Sequence, residues 1–204
     1  MRYYLGVDIG GTDIKLGIVS SAGEIEESGV IPTEPEKGPE EAAERVRGWF
    51  EGRGQVADEA SAGGIACAGL IDRDKGRIVT SPNLKSWEGS ILEEIFSSRL
   101  SVPMVVENDA TAAAYGEYRM GSGRGTKDFA CLTLGTGVGG GVVSGGELQR
   151  GWQGHAGEIG HTVIMIDGPP CKCGSKGCLE ALVGAGAIIS RAKGELAKEQ
   201  HSAL

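Results

Sequence analysis

The stretch LGTGVGGGVVSGGEL, residues 134–148, carries seven glycines in fifteen positions and no aromatic residue. An earlier stretch, IGGTDIKLGIVSSAGEI at residues 9–25, follows the same order: an apolar residue, a glycine-rich turn, a short apolar run, a small polar turn and then Gly-Glu-aliphatic. When Gly10 is placed on Gly135, the two stretches align with a gap of two residues. The sequence therefore predicts one supersecondary unit that is used twice.

Composition and charge restrict the class of protein. The chain has 204 residues and is 40% hydrophobic, enough to bury a core, and its 36 glycines indicate turns because they show no collagen-like period. A net charge of −8 argues against a nucleic-acid partner, and neither a signal peptide nor a membrane-length apolar run is visible. Five cysteines argue against a disulfide framework, and Cys67 and Cys131 are expected as small core residues of apolar strands. We therefore expect a cytoplasmic protein without nucleic-acid or membrane partners.

Short strands and helices alternate along the chain. Strands are predicted at 3–9, 14–20, 23–31, 62–72 and 102–108, helices at 40–52, 89–100 and 109–121, and a second strand meander over 129–151. This order predicts an α/β protein with a mixed sheet that carries helices. A domain boundary is expected near residue 109, and two units that face each other would leave a cleft between their glycine turns.

Both glycine turns have the composition of an anion-binding site. Successive backbone N–H groups of such a turn can point into one concave surface, and glycine allows a phosphate to approach closely. In DIGGT, Gly10 and Gly11 would supply N–H groups and Thr12 a hydroxyl. Asp8, at the strand end, is placed to hold Mg²⁺, and Lys15 would neutralise phosphate charge. An ordinary tight hairpin is the alternative for either turn alone, and the pair together favours phosphate binding.

Three thiols and one imidazole predict a structural metal site. Cys171, Cys173 and Cys178 fall within eight residues, and His161 lies ten positions before the first of them. Three thiolates and one imidazole form a closed tetrahedral set of the kind that binds structural zinc. Three free cysteines in a polar loop are the alternative, which is disfavoured because such thiols are reactive. His155 is the competing imidazole and is expected to be a solvated loop residue.

Asp109 lies between a strand end and an alanine-rich helix. The position is typical of a helix N-cap, and a purely structural cap is one interpretation. Taken alone, the residues favour the cap interpretation. Because a helix N-terminus favours the ionised form of an acid, we expect a carboxylate of low pKa whose orientation matters more than its basicity.

Six motifs, in this order, are DIGGTDIK, SPNL, ENDATAAAYGE, LGTGVGGG, GEIGH and CKCGSKGCLE. Together they closely resemble the ROK family of sugar kinases and sugar-responsive repressors, within the actin-like ATPase superfamily, over residues 4 to about 185. The resemblance implies an α/β fold of two actin-like (ribonuclease-H-like) domains, 1–108 and 109–204, with the active site in the cleft. Family chains continue well past the zinc loop, so the second domain is expected to be incomplete.

The resemblance also implies site residues, position by position. The first phosphate motif falls on Asp8, Gly10, Gly11 and Thr12, and the second falls on Thr136, Gly137 and Gly139. Asp109 matches the catalytic aspartate, the sugar-hydroxyl ligands match Asn83, Asn108, Asp109, Glu158, His161 and Glu180, and the zinc ligands match His161, Cys171, Cys173 and Cys178. Asp13 departs from the family, where many members carry Lys or Asn, and an acid that points inward there would weaken nucleotide binding.

The activity implied by the resemblance is ATP- and Mg²⁺-dependent phosphorylation of the primary hydroxyl of glucose or a related hexose. Structural Zn²⁺ would support the sugar pocket, and a homodimer is implied. An N-acetylhexosamine kinase and a fructokinase are alternatives within the same class. A sugar-sensing repressor, disfavoured by the few residues before the first motif, and a non-catalytic sugar-binding remnant are alternatives from other classes.

A truncated chain is expected to bind glucose but ATP only weakly. The end of the sequence predicts a helix whose apolar residues need a partner surface, namely Leu182, Val183, Ile188, Ile189 and Leu196. Without later strands to complete a sheet, this apolar flank would be exposed. We therefore expect the chain to be prone to association.

Overall fold

The protein is described here by a computed structural model that covers residues 2–54, 59–152 and 154–197. It divides into two compact units, Met1–Ala112 and Ala113–Leu204. The fold is mixed α/β, with one mixed five-stranded sheet and smaller sheets. Within the described residues, no helix is long and apolar enough to cross a membrane.

The first unit is built on the five-stranded sheet. Its strands are β1 (Tyr3–Ile9), β2 (Asp13–Ser20), β3 (Ile25–Pro32), β4 (Ala60–Cys67), the small pair β5 (Leu70–Asp72) and β6 (Arg77–Thr80), and β7 (Met104–Asn108). The sheet order is β3-β2-β1-β4-β7. β1, β2 and β3 form an antiparallel meander, whereas β4 and β7 run parallel to β1. The helices are α1 (Pro39–Glu51), α2 (Leu92–Leu100) and the start of α3 (Asp109–Met120), with 3-10 turns at Pro35–Lys37 and Lys85–Trp87.

The second unit contains a smaller meander. Its elements are β8 (Phe129–Leu134), β9 (Val138–Ser144), β10 (Glu147–Gln149), a 3-10 turn (Ile159–His161), α4 (Leu179–Val183) and α5 (Ala185–Leu196). The sheet order is β10-β9-β8, and both pairings are antiparallel. In each unit a glycine turn joins the first two strands of a meander, closed by Ile9 opposite Ile14 and by Leu134 opposite Val138. The predicted repeated unit is confirmed.

Alternation along β1 and β2 decides which side chains form the core. Leu5, Val7 and Ile9 of β1 are buried on one face, and α1 and α2 pack there through residues such as Val46 and Phe96. Each such side chain contributes about 1.5–3 kcal/mol by leaving water. Because strand side chains alternate between faces, Asp8 and Lys15 lie on the opposite face. The sheet thereby separates its core from its polar candidate site.

Two expectations about apolar residues have different outcomes. Cys67 is fully buried, as predicted, whereas Cys131 is only half-buried, because even the inner face of β8 on which it lies is only partly covered. The predicted C-terminal helix forms, and Ile188, Ile189 and Leu196 are exposed on α5. The apolar flank expected from the sequence is therefore present on the second unit.

Candidate functional site

The first glycine turn, residues 10–12, is held from the end of β3. The Gly10 N–H donates to the Asp13 carbonyl at 2.9 Å, and the Thr33 hydroxyl donates to the Gly10 carbonyl at 2.7 Å. The Thr33 N–H donates to the Thr12 carbonyl at 2.7 Å, and Thr33 is fully buried. The expectation that Gly10 offers its N–H to a phosphate is wrong, because the turn itself uses that donor. Gly10 shapes the turn, and Thr33 is a supporting residue that the motifs missed.

Asn83 lies directly against this turn. A Cβ added to Gly11 would come within 2.8 Å of the Asn83 Cβ, so only glycine allows the approach. Glu88 holds the loop that carries Asn83: its Oε1 accepts from the Ser81 N–H at 3.0 Å and the Thr80 hydroxyl at 2.8 Å. These bonds, with a third from a lysine, lower the pKa of Glu88 to about 2. Sequence reasoning missed Glu88, because an acid in a turn gives no distinctive signal.

The orientation of Lys15 follows from its register. Lys15 lies opposite Asp8 in the β1–β2 pair, and its Nζ is 3.3 Å from the Asp8 Oδ2. Both side chains are exposed to solvent, so the pair contributes at most about 1 kcal/mol. The structure therefore directs Lys15 toward the strand-end carboxylate. Asp13 is also exposed, at the start of β2.

Asn108, and not Asp109, caps α3. The Asn108 Oδ1 accepts from the Thr111 N–H at 3.0 Å, which is the usual bond from an N-cap to the third helical residue. The Asn108 amide also donates to the Gly69 carbonyl at 2.9 Å. The Asp109 Oδ1 accepts the N–H of the adjacent Ala110 at 2.9 Å, which is not the N-cap bond to the third helical residue. The cap interpretation of Asp109 is therefore wrong.

The carboxyl of Asp109 has a raised pKa. Burial is the largest cause; the Ala110 N–H bond opposes it, and the negative charge of Asp8 adds to it. The expectation of a low pKa is wrong, because desolvation outweighs the helix N-terminus. The neighbouring thiol of Cys67 has its pKa raised to about 12 by burial and by the charges of Asp109 and Asp8. The ends of β1, β4 and β7 thus hold two carboxyls and a neutral thiol.

The predicted metal ligands lie together in the second unit. One atom each from His161, Cys171, Cys173 and Cys178 lies within 4.8 Å of all the others. The His161 Nδ1 is 3.7 Å from the Cys171 Sγ, and the Cys173 and Cys178 sulfurs are also 3.7 Å apart. Zinc–sulfur bonds of about 2.3 Å in a tetrahedron require separations of about 3.8 Å. The residues therefore fit a closed zinc site, and His155 is exposed and outside the cluster.

The imidazole of His161 has a defined direction. Its Nδ1 faces the cysteines, and its Nε2 lies 3.7 Å from the Glu158 Oε2. Glu158 precedes the 3-10 turn that carries His161 and is exposed. With Nδ1 on a metal, Nε2 carries the proton and remains a donor on the Glu158 side.

The second glycine turn, residues 135–137, is packed against the same region. The Gly135 N–H donates to the Gly137 carbonyl at 3.0 Å, and the Ala185 N–H donates to the Gly135 carbonyl at 3.0 Å. The N–H of Val138, the first residue of β9, donates to the Glu180 Oε2 at 2.9 Å. Thr136 is exposed at the tip, and Gly139 is half-buried in β9.

The predicted site residues thus form one group in each unit. The first unit brings together Asp8, Gly11, Thr12, Asn83, Asn108 and Asp109 around the strand ends. The second unit brings together Thr136, Gly137, Glu158, His161, Glu180 and the three cysteines. Each group has the composition of a site for polar ligands: carboxyls beside a glycine turn in the first unit, and acids beside a glycine turn and four candidate metal ligands in the second.

Sequence and fold define the class of this protein: the chain belongs to the ROK family, whose sequence profile matches residues 4–203. Over 193 residues it is 41% identical to a glucokinase of Streptomyces coelicolor, covering 95% of this chain and 60% of the relative. The structure of a ROK hexokinase from Thermus thermophilus matches with a TM-score of 0.84 at 35% identity, covering 96% of this chain and 64% of that one. A Streptomyces griseus ROK glucokinase, solved with glucose and AMPPNP, matches with a TM-score of 0.79 at 38% identity, covering 96% and 62%.

The chain spans 60% of the length of the Streptomyces coelicolor relative that it matches. The structural match over 96% of this chain establishes the mixed α/β fold, and the profile match over residues 4–203 establishes the family.

Proposed function

We propose that the chain carries the phosphate turns, sugar ligands and catalytic aspartate of an ATP- and Mg²⁺-dependent hexose kinase. The substrate would be glucose or a closely related hexose, phosphorylated on its primary hydroxyl. The observation that carries the proposal is Asp109, a partly buried carboxyl that does not cap its helix and has a raised pKa beside Asp8. Identity of 41% to a glucokinase supports the choice of reaction.

Asp109 would accept the proton of the attacking sugar hydroxyl. A raised pKa brings a carboxylate closer to the operating pH, where general bases are most effective. Bound ATP and Mg²⁺ would supply the phosphoryl group and neutralise its developing charge. Asp8 would hold the cation, with Lys15 beside it. The turn residues would surround the phosphates: Gly11 and Thr12 in the first turn, and Thr136, Gly137 and Gly139 in the second.

In this proposal the residues that bind the sugar hydroxyls are Asn83, Asn108, Glu158, His161 and Glu180. A metal on the Nδ1 side would fix the tautomer of His161, so that Nε2–H donates to one hydroxyl while Glu158 accepts from another. In this proposal the metal is a scaffold for the sugar ligands and activates no water.

A panel of sugars tests this proposal. ADP release is measured with glucose, mannose, N-acetylmannosamine, N-acetylglucosamine and fructose, and 6-deoxyglucose is the matched control because it lacks the acceptor hydroxyl. We expect release with at least one hexose and none with 6-deoxyglucose. Release that does not depend on the primary hydroxyl would overturn the proposal.

Binding is measured separately by calorimetric titration of glucose and AMPPNP, so that a binding-only protein is recognised. Glucose binding without any turnover would favour the sugar-sensing alternative. If neither glucose nor AMPPNP binds, both the kinase proposal and the sugar-sensing alternative are excluded.

A further inference from the structure

Glu180 contacts two sites at once. Its Oε2 accepts the Val138 N–H at 2.9 Å, and its Oε1 lies 3.9 Å from the Cys171 Sγ. Glu180 is in the first turn of α4, two residues after Cys178, and Val138 directly follows the glycine turn 135–137. One side chain therefore connects the metal-ligand cluster with the second glycine turn, across 42 residues of sequence.

Val138 is also contacted by the backbone next to a metal-ligand candidate, His161. A Cβ added to Gly160 would overlap the Val138 carbonyl oxygen, so the backbone beside His161 presses directly on Val138. A Cβ added to Gly137 would overlap the Glu180 Oε2, so the carboxylate fits the turn only because residue 137 is glycine. Val138 is thus fixed by neighbours of two different metal ligands.

The backbone after Glu180 continues this connection. The Gly184 N–H donates to the Glu180 carbonyl at 2.8 Å, and the next residue, Ala185, donates to the Gly135 carbonyl at 3.0 Å. Gly135, the first residue of the turn, is therefore bonded to the residue that follows the end of α4. Val138, which directly follows the turn, is bonded to Glu180 at the start of the same helix. Any displacement of α4 must move the turn.

We propose that Glu180 is a positioning residue that transmits the state of the metal cluster to the second glycine turn. Ligation through Cys171 and Cys178 fixes the start of α4, and the carboxylate then holds Val138 and the turn in one shape. This role is separate from the sugar contact that the family resemblance implies for Glu180. Only its consequence for ATP affinity rests on the proposed function.

Hydrogen exchange of the Val138 amide measures this coupling directly, without any assay of activity. The protein is examined with zinc bound and after chelation, and Glu180→Ala and Glu180→Gln are compared with zinc bound. Losing the hydrogen bond should accelerate Val138 exchange at least about tenfold in Glu180→Ala and in the chelated protein. Glu180→Gln keeps an acceptor oxygen and should stay within a few-fold of the parent protein.

Two controls separate the coupling from general loosening. Glu147→Ala removes an exposed acid from β10 of the same sheet and should leave Val138 exchange unchanged. The Leu16 amide in β2 should not respond to chelation. Because chelation also loosens the second unit as a whole, the coupling is measured by comparing two ratios: chelation should accelerate Val138 exchange by a smaller factor in Glu180→Ala, where the connection is already cut, than in the parent protein. Unchanged Val138 exchange in zinc-loaded Glu180→Ala, or after chelation of the parent protein, would overturn the proposal.

AMPPNP titration then tests the consequence for the turn. If the proposed function holds, Glu180→Ala should bind AMPPNP several-fold more weakly, and Glu180→Gln should bind it nearly as well as the parent protein. If no form binds AMPPNP, the kinase proposal fails while the exchange result still decides the coupling.

Discussion

At the scale of single residues, Asn108 and Asp109 have different roles at the start of α3. Asn108 satisfies the helix, since its Oδ1 accepts the Thr111 N–H. Asp109 is thereby left partly buried near another acid, Asp8. Burial, and to a smaller extent the negative charge of Asp8, raises the pKa of Asp109. A carboxyl that is desolvated without a cationic partner costs stability, and such groups concentrate at functional sites. The arrangement is therefore more informative about function than the motif alone.

Replacing Asp109 by Asn tests whether this side chain has a role other than a structural one. Asp109→Asn keeps the shape and an acceptor for the Ala110 N–H but removes the carboxylate that we propose accepts the sugar proton. If the proposed function holds, kcat should fall by about 10²–10⁴ while glucose affinity is retained. Asp74→Asn, which changes an exposed acid in the β5–β6 turn, is the matched control. Steady-state kinetics and glucose titration check this. Near-normal turnover would reduce Asp109 to a structural residue.

The raised pKa of Asp109 also predicts the pH dependence of stability. The native state binds this proton more tightly than the unfolded chain does, so its contribution to stability falls as the pH rises from 3.8 through the raised value. Asp109→Asn should therefore unfold at a higher temperature than the parent protein at pH 7. The difference should disappear below pH 3.8. Thermal unfolding across that range measures it, and a variant less stable at pH 7 would contradict it.

Gly160 and Gly194 form a pair that tests close backbone packing. Gly160→Ala would drive a methyl group into the Val138 carbonyl and should destabilise the second unit by about 1–3 kcal/mol. A Cβ at Gly194, on α5, meets nothing within 4 Å, so Gly194→Ala should stabilise by about 0.4–1 kcal/mol. Urea unfolding gives both values. Equal effects of the two substitutions would show that the contact at Gly160 is easily relieved.

At the scale of elements, each meander has its glycine turn anchored by a side chain from outside the hairpin. Thr33 holds the Gly10 carbonyl in the first, and Glu180 holds the Val138 N–H in the second. A glycine turn has few side chains of its own to restrain it and is entropically costly to order. The external anchors therefore set the shape that a phosphate would meet.

The Asn83 loop depends on Glu88 in the same way. The pKa of Glu88 is about 2, below the usual 4.5. The stability that its hydrogen bonds contribute is therefore complete above pH 4.5 and is lost as the pH falls toward 2. Glu88→Gln should therefore lower the unfolding temperature at pH 7, and the difference should shrink between pH 4.5 and 2. Glu36→Gln, at an exposed acid, is the control. A difference that does not depend on pH would contradict the assigned cause.

How far the sequence predicts this structure depends on the range of the interactions. Alternation places the strands of both meanders, and ligand spacing identifies the metal cluster, because both are local patterns. The choice between Asn108 and Asp109 as cap cannot be predicted locally, since both residue types cap helices well. The contacts from Thr33 and Glu180 span 23 and 42 residues. Burial of Asp109, which decides its pKa, likewise exists only after folding.

At the scale of the whole molecule, the two units are stabilised differently. The main hydrophobic cluster draws all its buried members from residues 5–106, within the first unit. Among the described residues of the second unit, buried apolar side chains are few, and two of them, Cys171 and Cys178, are metal-ligand candidates. Metal binding that occurs only in the folded state contributes directly to folding free energy. The second unit should therefore depend on metal far more than the first.

Metal removal should accordingly act on one unit. We expect about one zinc per chain, and at a free concentration 100-fold above Kd it would stabilise the second unit by about 2.7 kcal/mol. Chelation, or Cys173→Ser, should accelerate amide exchange in β8–β10 and leave β1, β2 and β4 unchanged. Cys131→Ser, outside the cluster, is the matched control and should retain the metal. Elemental analysis measures the zinc content, and amide exchange measures the loosening of each unit. The cluster does not support the second unit if folded protein holds less than half an equivalent of zinc, or if both units loosen equally.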